Sequence, residues 1–450
     1  MWWEPFYLLL ILGSTAVDYW CSMQMSHQEE KSKRKKFVYV SIFMNLLILL
    51  TFKYFNFFSD ATQQLLNLAG IDYLTPHISV LLPMGISFYT LQTMGYSIDV
   101  YKGVIKAEKH PGIFALYVTF FPQLVAGPIE RAKTLLPQFR VEQKFSTERA
   151  LSGLRLILFG LYKKVAVADQ IAPIVDSVFA NSNNYNGISI LVVNILFALQ
   201  IYFDFAGYSD IAIGSARVLG FNLMTNFKRP FFARSLGELW ARWHLSLTTW
   251  FRDYIFVPMI RNKYDWRIAI FTIYVLSGMW HGANYNFFIW GSFNAFVIIL
   301  SRSMPKTKEW IWKALQLNRF PKLDKVVDQL FTLLLFSVPT VFFRSATFEQ
   351  AIDMFQSLLV YFPSSIASIS SSTFRHILLL DQDSITWAIA LLGIVVLFFI
   401  EVAEENKKGW IQDLIMKWAM APRWALYFFM MFSVILLSGA REVPFTYFQF

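Results

Sequence analysis

The sequence predicts an all-α fold: a polytopic transmembrane helical bundle with re-entrant segments and interfacial helices. Three observations lead there. Of 450 residues, 56% are hydrophobic and 16% charged, whereas soluble domains are about a quarter charged, so two or three soluble domains of this total length would lack charge for their surfaces. The apolar residues gather in runs of membrane-crossing length, and the mean hydropathy is +0.44. The net charge of +10 is concentrated between those runs; in a soluble protein it would suit nucleic acid, but here it marks cytoplasmic loops, so the partner is a lipid bilayer and not nucleic acid. The 46 phenylalanines suit lipid-facing helices, and the 15 tryptophans and 20 tyrosines suit interfacial belts. The lone cysteine, Cys21, cannot pair within the chain, which removes a disulfide scaffold.

The first apolar run, Met1 to about Trp20, has no basic leader and no small-residue cleavage site, so it reads as an uncleaved helix. Lys31, Lys33, Arg34, Lys35 and Lys36 follow it, which places this loop in the cytoplasm and the N-terminus outside. Residues 37 to 58 span outward, the loop Ser59 to His77 has no Lys or Arg, and residues 78 to 98 return to Lys102, Lys106 and Lys109. Residues 113 to 126 are too short to cross, carry Pro122 and are basic on both flanks, so they are expected to be re-entrant. Spans are expected at 151 to 173 and 188 to 216. The stretch 217 to 267 mixes Arg and Lys with Trp and Phe and reads as interfacial helices on the cytoplasmic side. Two short apolar pieces, 268 to 281 and 287 to 300, flank Gly282-Ala283-Asn284 and are basic at their outer ends, the pattern of a hairpin that dips and returns. The last spans are 327 to 343, 386 to 402 and 424 to 440, with the C-terminus outside. The expectation is eight spans and two re-entrant regions in one membrane-embedded domain, 1–450.

Histidines are few. His27, His77, His110 and His376 fall in loops and read as solvated. His281 sits at the tip of the predicted hairpin, where an ionisable group in apolar surroundings is expensive. It is either a general base or a histidine that hydrogen-bonds a helix end. His244, within Arg242-Trp243-His244 and the aromatic-basic run to Tyr254, is either a packing residue or part of a pocket for a phosphate-bearing ligand, with Arg242 or Arg252 as the anion contact. Asp204 and Asp210 lie within an apolar run but six residues apart, off a common helix face, so each is expected to pair with a cation elsewhere; Lys163 and Lys164 are candidates, or they snorkel. There is no HExxH, no Cys/His metal cluster, no GxSxG and no Walker A loop, so no metal is expected.

Four ordered motifs resemble the membrane-bound O-acyltransferase (MBOAT) family, in particular its alginate O-acetyltransferase membrane-subunit branch. They are Phe121-Pro122-Gln123-Leu124-Val125-Ala126-Gly127-Pro128-Ile129-Glu130-Arg131, Phe203-Asp204-Phe205-Ala206-Gly207-Tyr208-Ser209-Asp210, Arg242-Trp243-His244 through Tyr254, and Trp280-His281-Gly282-Ala283-Asn284. The close match covers about 120 to 300. The resemblance implies tilted helices around a thinned centre, a tunnel joining a cytoplasmic acyl-donor site to an outer acceptor site, His281 as the catalytic histidine and His244 as the second one. The chain departs from that branch after Val257-Pro258, where Met259-Ile260-Arg261-Asn262-Lys263 replaces a Gly-rich turn. Its tail, 445–450, carries Phe445, Tyr447 and Phe450 in an F-x-Y-x-x-F pattern that looks like the acyl-carrying end of small partner proteins in the related D-alanylation system. Tyr447 is then either an acyl relay or an aromatic interfacial anchor.

These readings converge on a membrane O-acetyltransferase of the cytoplasmic (inner) membrane. The expected donor is acetyl-CoA, with no tightly bound cofactor; the expected acceptor is a hydroxyl of an extracytoplasmic polysaccharide such as alginate, served by a periplasmic acetyltransferase partner. His281 is the expected base, Trp280 or Asn284 the oxyanion contact, and the basic stretch around Arg242 and Arg252 the donor's phosphate contact. The competing readings are D-alanyl transfer to teichoic acid and a transporter or flippase for a lipid-linked sugar.

Overall fold

Apolar length sets the frame of the molecule. In a computed structural model describing residues 6–78, 83, 85–124, 127–304, 312–314, 316, 319–370, 372–407, 409–438 and Phe445, the described residues are mostly helical, with no strand among them. Among the described residues, five helices are long and apolar enough to cross a membrane: Lys31–Leu68, Ile188–Val218, Pro321–Arg344, Ser384–Asn406 and Met420–Ser438. Each overlaps an expected span, and the chain is a multi-pass membrane protein. The expected first span is the helix Phe6–Ser26. The expected span 78 to 98 begins in residues outside the description and continues as Ile86–Lys102, a helix buried along most of its length. The expected span 151 to 173 is a helix, Thr147–Leu161, that widens into a π-turn at Tyr162–Ala168 and resumes as Asp169–Ala180. A helix at Phe348–Ala367 was not anticipated. Its apolar face is interrupted by Asp353, Gln356 and Ser357, so it gives no span-length run.

Two compact units are distinguished within the chain. The first comprises residues 1–154, 212–224 and 249–258. Its first three helices are stitched by buried polar groups: Ser41 Oγ donates to Asp18 at 2.6 Å, Asn45 Nδ2 to both oxygens of Asp18 at 2.9 and 3.0 Å, and Thr93 Oγ1 to Asn45 Oδ1 at 2.9 Å. A carboxylate without water needs such donors. The expected re-entrant region appears here as two short helices, Pro111–Thr119 and Phe121–Leu124. Where the first ends, the carbonyl of Tyr117 accepts from Gln92 Nε2 at 2.7 Å and from Gln123 Nε2 at 2.9 Å. Interrupted backbone is tolerated away from water when protein groups satisfy it, as these two amides do.

The second unit comprises residues 155–211, 225–248 and 259–450. Lys164 Nζ lies 2.8 Å from Asp204 and 2.6 Å from Asp169, while Lys163 Nζ lies 2.8 Å from Asp210. The six-residue offset of Asp204 and Asp210 is thus met by adjacent lysines, carried by the π-turn, that reach different carboxylates. The hairpin 268 to 300 is realised as Trp266–His281 and Tyr285–Ser303 packed side by side. Glycines permit that approach: a Cβ on Gly278 would lie 2.2 Å from the carbonyl oxygen of Phe287, and one on Gly291 would lie 2.4 Å from that of Tyr274.

Lys164→Met should strand two carboxylates, one of them, Asp204, with a side chain only 1% exposed. Leaving a buried charge without its partner costs roughly 3–5 kcal/mol, so the variant should lose thermal stability sharply in detergent, whereas Lys53→Met, outside this network, should not reproduce its loss of the Asp204 and Asp169 contacts in a double-mutant cycle with Asp204→Asn.

Candidate active site

His281 is the last residue of its helix, and Gly282 follows in extended backbone. A Cβ at Gly282 would fall 2.0 Å from the ring of Phe287, so only glycine lets the chain turn here with Phe287 folded back against it. Asn284 then starts the next helix, its side chain accepting from Asn286 N–H at 3.1 Å. This holds the imidazole at a hairpin tip that is buried in protein: His281 is 6% exposed. Its ring packs against Trp280, Phe343 and Trp290 at centroid distances of 4.9, 5.2 and 5.5 Å. His281 lines a narrow cleft whose other walls are Phe197, Ile201, Trp243, Trp290, Phe336, Thr340 and Phe343. Aromatic faces exclude water while offering few competing polar groups, the setting in which a lone imidazole has most effect.

His244 is brought to the same neighbourhood by a turn between Leu236–Trp240 and Leu245–Phe251. Its φ is +40°, a region that non-glycine residues adopt only where surroundings enforce it. The enforcement comes from Asn226, whose carbonyl accepts from Leu245 N–H at 2.9 Å and whose Oδ1 accepts from Ser246 Oγ at 2.7 Å. The imidazole is 1% exposed, edge-on to Phe205 at 4.6 Å and 5.8 Å from the ring of Trp280. Trp280 therefore touches both histidines. Burial pushes the His244 imidazole down to about 3, so it is neutral at physiological pH.

The other sequence-predicted residues separate. Arg242 is engaged by Glu405 at 2.9 Å and Glu238 at 2.7 Å, and it also donates to the carbonyl of Arg229. Arg252 is exposed and pairs with the neighbouring Asp253 at 2.8 Å. Asn284 has its side-chain oxygen committed to the helix cap. Tyr447 lies outside the described residues, but Phe445, two positions before it, is 1% exposed and packs on Tyr208 at 4.3 Å and Phe205 at 5.7 Å. Phe205 thus bears His244 and Phe445 together. Sequence reasoning missed Trp290, Phe336 and Trp243 as cleft walls, because aromatic residues in an apolar run carry no local mark of which face they line. It also missed Glu401 and Glu405, which meet Tyr202 at 2.5 Å and Arg229 at 2.8 Å; their position at the polar end of an apolar run was the available signal. Among the described residues no group of three or more His, Cys, Asp or Glu side chains is placed to hold a metal.

Comparison with known proteins bears on this arrangement directly. The family model described as "MBOAT, membrane-bound O-acyltransferase family" matches residues 108–316, a stretch that contains all four motifs and both buried histidines. A protein named "Probable alginate O-acetylase" from Pseudomonas putida is 31% identical over 460 residues, covering 100% of this chain and 92% of that protein. The chain belongs to the membrane-bound O-acyltransferase family. The Pseudomonas aeruginosa protein of the same name is 33% identical, over 80% of this chain and 67% of its own length. A peptidoglycan O-acetyltransferase from Helicobacter pylori is 26% identical over 91% of this chain and 83% of its own length. The protein is a membrane O-acyltransferase resembling the alginate O-acetylases.

Because the His244 imidazole binds its proton less readily in the folded chain than in the unfolded one, stability is fully present above about pH 6.5 and is lost as the pH falls toward 3. The loss approaches about 1.4 kcal/mol per pH unit. His244→Asn, a residue that tolerates positive φ, should flatten the fall in melting temperature between pH 6.5 and pH 4, measured on purified protein in detergent.

Proposed function

We propose that this acyltransferase moves an acetyl group from acetyl-CoA on the cytoplasmic side of the inner membrane to a hydroxyl of an extracytoplasmic polysaccharide. The observation that carries this reading is His281, a buried imidazole on the wall of an aromatic cleft. The imidazole takes the proton of the attacking hydroxyl, whose oxygen adds to the thioester carbonyl carbon; as the carbon–sulfur bond breaks, the proton passes to the departing thiolate. Neutral His244, held beside Phe205 and Trp280, shapes the site without adding charge. Of the two arginines, Arg252 is the exposed and less committed one, meeting a single carboxylate, Asp253, where Arg242 is bound by two. The names of the relatives, alginate O-acetylase and peptidoglycan O-acetyltransferase, support a cell-envelope or exported polysaccharide as acceptor, with alginate the first polymer to test.

The C-terminal tail supports a two-step route. Phe445 is seated against Phe205, the residue that also packs on His244, and two residues of chain reach at most about 7 Å. Tyr447 would accept the acetyl group as a phenolic ester, its hydroxyl proton going to His281, and a periplasmic acetyltransferase would carry the group from tyrosine to the polymer.

His281→Ala should lower acetyl transfer by roughly 10²- to 10⁴-fold while the chain still accumulates in membranes; retained activity removes the base role. Tyr447→Phe should abolish polymer acetylation with normal expression, and mass spectrometry of the C-terminal peptide after incubation with labelled acetyl-CoA should find the label on Tyr447 in the parent chain. Unchanged polymer acetylation in Tyr447→Phe discards the relay, and label entering only from a D-alanyl carrier protein would reassign the donor.

A further inference from the structure

Trp290 occupies the second helix of the hairpin, is 4% exposed, and lines the cleft that contains His281. Its ring stands perpendicular to the imidazole, at 5.5 Å and 89°, and packs on Phe343 at 5.1 Å. The indole Nε1 is buried and has no hydrogen-bond acceptor among the described residues. An indole N–H can only donate, and leaving a buried donor unsatisfied costs about 1–3 kcal/mol. A fold that retains this deficit on the wall of a reaction cleft is arranged for an acceptor that arrives with the substrate. Asn284, by contrast, has its side-chain oxygen on a helix cap, and Trp280 packs on the two histidines without lining the cleft.

We propose that Trp290 Nε1–H is the hydrogen-bond donor that receives the acyl carbonyl oxygen of the thioester beside His281. This deepens the acetyl-transfer reading and rests on His281 being its base. As the hydroxyl oxygen bonds to the carbonyl carbon and its proton moves to His281, the carbonyl π pair shifts onto oxygen, and the indole N–H meets the charge that develops there. When the pair returns, the carbon–sulfur bond breaks and the thiolate takes the proton from His281, leaving an ester and a free thiol. The ligand class is an acyl thioester carbonyl, and Trp290 is a catalytic residue that the sequence motifs do not contain.

The test uses membranes of the native host carrying the full chain, with labelled acetyl-CoA and the endogenous polymer. Trp290→Phe keeps an aromatic ring against His281 and Phe343 and removes the donor together with part of the ring's volume; it should lower kcat roughly 10²- to 10³-fold with KM for acetyl-CoA unchanged. Trp240→Phe is the packing control. Its indole nitrogen is also buried without an acceptor and its ring lies 5.7 Å from Trp290, but it is not a cleft wall, so it should keep at least half of the parent kcat. If Trp290→Phe fails to accumulate, 3-benzothienylalanine at position 290, which preserves the bicyclic shape and lacks the N–H, should give the same kcat loss. A Trp290 variant with more than half the parent kcat, an effect confined to KM, or an equal kcat loss in Trp240→Phe overturns the proposal while leaving the base role of His281 standing. Activity retained by His281→Ala overturns both.

Discussion

The ion pairs of Lys164 with Asp204 and Asp169 are the constraint on which the second unit depends. A charge buried in an apolar bundle is stable only with its counter-charges in contact, so one lysine ties the segment Tyr162–Ala168 to the helix Ile188–Val218 at a defined height. Lys163 with Asp210 repeats the tie nearly two turns along that helix. That helix then presents Phe197 and Ile201 to the cleft and Phe205 to His244 and Phe445. Its register, set by charge, decides which aromatic residues reach the site.

The site itself is built on the opposite principle. Around His281 there are aromatic faces, and polar groups are few and individually placed. Gly282 and the Asn284 cap turn the chain so that the imidazole ends one helix while Trp290 stands on the next. Gly278 and Gly291 bring those two helices to backbone contact, which sets the distance between imidazole and indole. A low-polarity enclosure strengthens any electrostatic contact formed inside it. Two places of unusual backbone near the site are held by pairing: His244 has a positive φ and Asn226 grips the residues after it, and the broken helix near Pro122 has its freed carbonyl satisfied by two glutamine amides.

Much of this was legible in the order of residues. Apolar run length located the five long helices, short length with Pro122 marked the interrupted segment, and Gly282 to Asn284 marked the hairpin turn, because these signals are local and repeat with the helix period. The isolated carboxylates of an apolar run announced their need for cations, and Lys163 and Lys164 are those cations. The helix Phe348–Ala367 was not legible, since polar residues break its apolar run. Arg242 reads in sequence as an anion contact only because Glu405, more than a hundred and fifty residues away, is invisible beside it.

The sequence by itself determined that this chain is a helical membrane protein, which family it resembles, and that His281 and His244 are its distinctive ionisable groups. Composition, run length and motif spacing are properties of neighbouring residues and survive without a fold. Only the tertiary structure decided that Trp280 joins the two histidines, that Arg242 is occupied, that Phe445 is seated on Phe205, and that Trp290, a wall of the cleft around His281, has a buried indole nitrogen without an acceptor among the described residues. Each of these is a contact between helices far apart in the chain, and whether a polar atom is satisfied or left waiting depends on which surfaces the packing brings together.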